Sequence, residues 1–142
     1  WDRVVAGGRL QWIQSSAAGL DHCLVPAVID SAIPVTSASG VLSDQVAEHT
    51  ICLLTAITRS LPTFFRQQQD KQYVRRPTRD LTHSTVGIVG FGGVGRRVSE
   101  VLAPFKTKIL ATDMYPVDKP AHVAELWPAD RLDDLLRAVD VV

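Results

Sequence analysis

A glycine run set between two apolar patterns constrains this chain more than any other feature. Residues Gly90-Phe91-Gly92-Gly93-Val94-Gly95 read GxGxxG. Just before them, Val86-Gly87-Ile88-Val89 is a short apolar run of the kind a buried parallel strand carries. Just after them, Val94, Val98, Val101, Leu102 and Phe105 recur with the spacing of one helix face. Each glycine then has a job. Gly90 permits a tight turn out of the strand, Gly92 lets backbone approach a pyrophosphate, and Gly95 lets the helix pack close against the strand. The N–H groups of Gly93 and Val94 would face anionic phosphates along the helix dipole. A bare GxGxxG is weak evidence, since glycines also serve close packing alone. Here the whole strand–turn–helix context is present.

A second apolar run, Lys108-Ile109-Leu110-Ala111-Thr112, ends at an acidic residue, Asp113, 18 positions after Gly95. That is close to the spacing of about 20 at which a carboxylate reads a ribose. Its oxygens can accept from ribose hydroxyls and would repel a 2′-phosphate, which predicts NAD rather than NADP, although acidic residues at strand ends are also ordinary surface features. After a Pro-rich connection, Leu132, Leu135, Leu136 and Val139 mark another helix before a final strand. The order β-α-β followed by α-β predicts an α/β fold, part of a Rossmann-type doubly wound parallel sheet.

Upstream, residues 10–14 (LQWIQ) and 33–36 (IPVT) are strand-like, with a small-residue loop between them. Ser43 is a candidate N-cap for a helix running to about Leu61, with Asp44 and Glu48 near its positive end and Pro62 marking its stop. Apolar residues cover most of this helix, which predicts burial on more than one side, as between domains or subunits. Residues 64–80 are polar and basic, and read as a solvated linker face. A domain boundary is therefore placed within this stretch.

Lys+Arg and Asp+Glu each total 15, a formal net charge of zero. That balance offers no electrostatic case for nucleic acid or an anionic membrane, and points to a small-molecule partner. The most apolar run, residues 51–57, is far shorter than the roughly 20 residues a bilayer requires. Cys23 and Cys52 have apolar neighbours and no metal-ligand spacing, so both are expected to be buried thiols in a reducing, cytoplasmic setting, with no metal site. The chain starts at Trp1 and ends on what reads as the start of a strand, so it is expected to be an interior piece of a longer protein.

Taken in order, four segments make the sequence resemble the D-isomer-specific 2-hydroxyacid dehydrogenases. They are Ser16-Ala17-Ala18-Gly19-Leu20-Asp21-His22, Ala38-Ser39-Gly40-Val41, Val46-Ala47-Glu48-His49, and residues 86–95. The resemblance implies that residues 1–77 end a flavodoxin-like substrate domain with its interdomain helix. Residues 78–142 would then begin the NAD-binding domain. It also implies that the amides of Ala18 and Gly19 hold a substrate carboxylate, which small residues permit. Val46 would lie beside the cofactor, without the hydroxyl of the Thr common in relatives. Gly93 would keep a backbone donor without the frequent Arg side chain. Neither His22 nor His49 matches the family's acid–base histidine, so both are expected to be structural. The family's catalytic Arg, Glu and His would all follow residue 142. The implied whole protein is a homodimeric oxidoreductase moving a hydride between NAD(H) and a 2-hydroxy/2-oxo acid. The same resemblance leaves open a nicotinamide-sensing corepressor, or a formate or phosphite dehydrogenase.

Overall fold

The computed structural model describes residues 1–115 and 117–142. Contacts divide the chain into two compact units, Trp1–Leu42 and Ser43–Val142. The first holds helix α1 (Asp2–Ala6), strand β1 (Ile13–Gln14), helix α2 (Pro26–Ile29) and strand β2 (Val35–Thr36). β1 and β2 pair in parallel, Ile13 opposite Val35 and Gln14 opposite Thr36. Ile13, Cys23 and Val28 are its buried apolar side chains among the described residues. The strand-like stretches expected at residues 10–14 and 33–36 are thus present but shorter, two residues each.

The second unit is built on a parallel sheet in the order β3 (Thr85–Val89), β4 (Lys108–Asp113), β5 (Glu125–Pro128). Val141 adds a parallel bridge to Val86 on the far side of β3. The spatial order is therefore fourth, first, second, third, the order of a Rossmann half. β3 and β4 align from Thr85 opposite Lys108 to Val89 opposite Thr112. Helix α5 (Gly93–Leu102) returns the chain from β3 to β4, and α6 (Leu132–Ala138) leads from β5 toward Val141. The core is Val86, Ile88, Phe91, Val98, Leu102, Ile109, Ala111 and Val123, closed on one side by Ala47. At Gly87 α6 packs close on the sheet, so that a Cβ there would meet Leu135 Cδ2 at 2.7 Å.

Several expectations need correction. β5 lies within what was read as a Pro-rich connection. Its four residues end in a proline, which a strand tolerates at the edge of a sheet, where the missing N–H costs no ladder bond. The polar stretch expected from residue 64 is partly helical, since α4 spans Leu61–Gln69. Pro62 opens that helix in its first turn, where a proline loses nothing, as well as following the end of the previous one. The long helix α3 (Ser43–Thr58) takes Ser43 into its first turn rather than ahead of it. It buries only Ala47 fully, with Ile51 and Leu54 packed on the core, while Leu53 and Ile57 are 51% and 71% exposed. Within this unit, that is one buried face. Cys23 is buried as expected, but Cys52 on α3 is exposed. The contact division falls between Leu42 and Ser43, so α3 and α4 group with the sheet. Pro77 lies in the irregular stretch that follows α4. Among the described residues no helix is long and apolar enough to cross a membrane.

Candidate cofactor site at the β3–α5 turn

The turn is shaped by three glycines doing different work. Gly90 leaves β3 at φ +93°, a conformation that side chains rarely adopt. Its N–H donates to Thr112 O at 2.8 Å, the last ladder bond between β3 and β4. Gly95 faces that same residue from the first turn of α5. A Cβ at Gly95 would stand 2.1 Å from Gly90 O and 3.2 Å from Ile88 Cγ2, so only hydrogen fits between helix and strand. Gly92 is the opposite case, because nothing lies within 4 Å of where its Cβ would be.

Gly92 is the N-cap of α5, in extended conformation, and no side chain caps the helix. Its carbonyl already accepts from Arg96 N at 2.9 Å. Gly92, Gly93 and Val94 are all exposed, and their N–H groups donate to no acceptor among the described residues. An uncapped helix start with open space beside it is a ready anion site. The donor set fits a dinucleotide's pyrophosphate on this ground alone. The first turn of α3 packs beside the same helix start, with Ser43 Oγ 3.4 Å from the Cβ position of Gly93. Asp44 of that turn pairs with Arg97 of α5 at 2.5 Å, so its charge is compensated. Val46, one turn further along, is 43% exposed.

Asp113 sits at the end of β4, and it does not simply point to solvent. Its Oδ2 accepts from Phe91 N at 2.5 Å and its Oδ1 from Tyr115 N at 2.8 Å. The Tyr115 and Phe91 amides together hold its carboxyl below the ordinary range, with a smaller contribution from Arg96. Phe91 itself is fully buried, with the Arg96 guanidinium 5.2 Å from its ring centroid. The chain reading missed a neighbouring pocket of about 300 Å³ lined by Met114, Tyr115, Val117, Lys119, Leu126, Trp127 and Pro128. Trp127 is fixed there beneath Arg131, 4.2 Å from its ring centroid. The one signal that could have found it was the pair of bulky residues Leu126 and Trp127 at the end of an unrecognised strand.

The structure thus brings Gly90, Gly92, Gly93, Val94, Gly95 and Asp113 together, with the Val46 turn alongside. The NAD-binding domain model of the D-isomer specific 2-hydroxyacid dehydrogenases matches residues 51–142, a span that contains the glycine run and Asp113 but not Val46. The chain belongs to that family. A glyoxylate reductase of Thermofilum pendens is 32% identical, over 96% of this chain and 42% of the relative. A solved glycerate dehydrogenase related protein from Thermoplasma acidophilum superposes with a TM-score of 0.72 at 29% identity, covering 94% of this chain and 46% of that one. The D-lactate dehydrogenase of Aquifex aeolicus, solved with NAD and lactic acid, shares the fold at TM-score 0.82 and 23% identity, over 99% and 43% of the two chains. The chain therefore spans less than half the length of the relatives it matches. As a member of this family, it carries the glycine loop of an NAD-binding domain of Rossmann type.

Ala18 and Gly19 lie in the first unit, in an exposed loop after β1. Neither amide donates to an acceptor among the described residues. The loop is anchored from beneath by buried Ser15, whose Oγ accepts from Ala17 N at 3.1 Å and lies 3.2 Å from His22 Nε2. Ala17 O also accepts from Ala38 N at 3.1 Å. His22 is part of this anchoring, consistent with a structural role. Asp21 brings a carboxylate oxygen to 3.4 Å from the Cβ position of Gly19, a negative group that any anion there must share space with. His49 and Glu48 are exposed on α3.

Proposed function

We propose that the whole protein transfers a hydride between NAD(H) and C2 of a 2-hydroxy/2-oxo acid, and that this chain supplies its cofactor cradle. The observation that carries the reading is the uncapped start of α5, with the exposed amides of Gly92, Gly93 and Val94 following the left-handed Gly90. In the reading, those amides take the pyrophosphate, and Val46 lines the cofactor from α3. Asp113 accepts from the adenosine ribose with the lone pairs its two amide bonds leave free, and its charge selects NAD over NADP. The pocket of Met114, Tyr115, Leu126 and Trp127 is mostly apolar and one strand over, which suits the adenine. When bound, the nicotinamide would give the hydride to C2 of the oxo acid or take it from C2 of the hydroxy acid.

The amides of Ala18 and Gly19 are assigned to the substrate carboxylate, and residues 1–77 to the end of the substrate domain. The acid–base and substrate-polarising groups are assigned to residues outside this chain, which by itself should not turn over glyoxylate or hydroxypyruvate. A cytoplasmic homodimer is the assembly that fits the exposed apolar side of α3. Dissociation constants of the chain for NAD and NADP, measured with Asp113→Ala alongside, test the central assignment. NAD should bind at least about tenfold more tightly than NADP, and the preference should vanish in the variant. Equal affinities in the unaltered chain would overturn it.

A further inference from the structure

The strand ladder between β3 and β4 runs out at Gly90. Its amide takes the last available carbonyl, Thr112 O, at 2.8 Å. Gly90 then turns the chain at φ +93°, and the next amide, that of Phe91, has no strand carbonyl opposite it. A buried N–H in that position is costly unless an acceptor reaches it. The Asp113 side chain does so, at 2.5 Å, while its other oxygen takes Tyr115 N at 2.8 Å. Two successive loop amides are thus fastened to two successive residues of β4, and the next three, of Gly92, Gly93 and Val94, are left over. We propose that Asp113 is a positioning residue, holding the glycine loop in place before any nucleotide arrives by extending the β4 ladder with its carboxylate.

This role differs from reading a ribose. It acts in the unliganded protein, and it would affect every ligand of the loop, including those with no sugar. The holding role stands on the unliganded geometry, and only its consequence for phosphate binding rests on the cofactor reading above.

Hydrogen exchange of individual amides in the unliganded 142-residue chain tests it, with inorganic pyrophosphate and NAD binding as the second measurement. In Asp113→Ala, exchange at Phe91 should accelerate by about tenfold or more, as expected for loss of a charge-assisted bond, while Ile109 and Leu110 in β4 stay unchanged. Pyrophosphate affinity should fall by about tenfold as well, although pyrophosphate touches no ribose pocket. Asp113→Asn keeps one acceptor oxygen without the charge. It should recover Phe91 protection and pyrophosphate affinity to within about threefold of the unaltered chain. Unchanged Phe91 exchange in Asp113→Ala would overturn the proposal. With that result, intact pyrophosphate binding alongside weakened NAD binding would leave Asp113 a ribose contact only. If Phe91 protection falls as expected but the unaltered chain binds neither pyrophosphate nor NAD, the holding role stands and the cofactor reading fails.

Discussion

Gly95 and Gly92 sit three residues apart in one motif, yet alanine at the two positions should damage different things. At Gly95 the added carbon would meet Gly90 O at 2.1 Å. The struck atom is backbone, fixed by the Gly90–Thr112 ladder bond, so it cannot swing aside as a side-chain tip would. Relief requires α5 to move off β3 by roughly 1 Å, and a gap of that size forfeits up to about half of each contact it opens. The contacts at stake are those of Val98, Leu102 and Phe91, all in the core. Overpacking costs about 1–3 kcal/mol, and the lost contacts add to it. Better helix propensity returns up to about 1 kcal/mol. The net expectation for Gly95→Ala is a loss of about 2–4 kcal/mol, or a midpoint lowered by about 10–20 °C for a unit of this size.

Gly92 has nothing within 4 Å and an extended backbone at φ −74°, so alanine fits without strain. Gly92→Ala should change stability by no more than about 1 kcal/mol, because the gain through the unfolded state is offset by the poorer N-cap that alanine makes. It fills the approach that a pyrophosphate needs, so NAD affinity should fall by at least about tenfold. Thermal and urea denaturation read the first quantity, and calorimetric titration with NAD the second. A Gly95→Ala variant within about 0.5 kcal/mol of the unaltered chain would refute the close-packing argument. So would a Gly92→Ala variant that unfolds.

Two further outcomes follow from the same packing and charges. A Cβ at Gly87 would reach 2.7 Å from Leu135 Cδ2, a movable side-chain tip, so Gly87→Ala should cost only about 1–2 kcal/mol by urea denaturation. Trimming the partner, as Leu135→Ala, should make the pair of substitutions cost less than the sum of the singles, and strict additivity would count against the contact. Asp113 has its folded-state pKa lowered by the Tyr115 and Phe91 amides. Between that lowered value and the unfolded one of about 4, the unfolded chain binds more protons, so stability rises with pH there. The contribution should be complete above about pH 5 and lost as pH falls through the folded value, and a urea-midpoint scan against pH should be flatter in Asp113→Asn. Equal acid dependence in both chains would show that the two amide bonds carry no net preference for the ionised form.

What could be read from the chain alone was whatever is encoded within a few neighbouring residues. Residues 86–95 announce strand, turn and helix because apolar runs, glycines and helical spacing are local patterns, and β3, Gly90 and α5 stand where those patterns put them. Asp113 could be picked out by spacing, and the small residues Ala18 and Gly19 by their likeness to a family motif. β5 could not, since Glu125–Pro128 becomes a strand only through pairing with Leu110–Asp113 of β4. Nor could the burial of α3, whose apolar residues ring the helix in sequence while packing against α5 and the sheet covers just one side. The bond from Phe91 to Asp113 lies furthest from sequence reasoning. It joins residues 22 apart and depends on β3 and β4 lying side by side in one particular register. Composition and periodicity choose the elements, because those choices are settled within a turn or a strand. Which amide meets which carboxylate is decided only when the sheet aligns them, because hydrogen bonds act over about 3 Å and not along the chain.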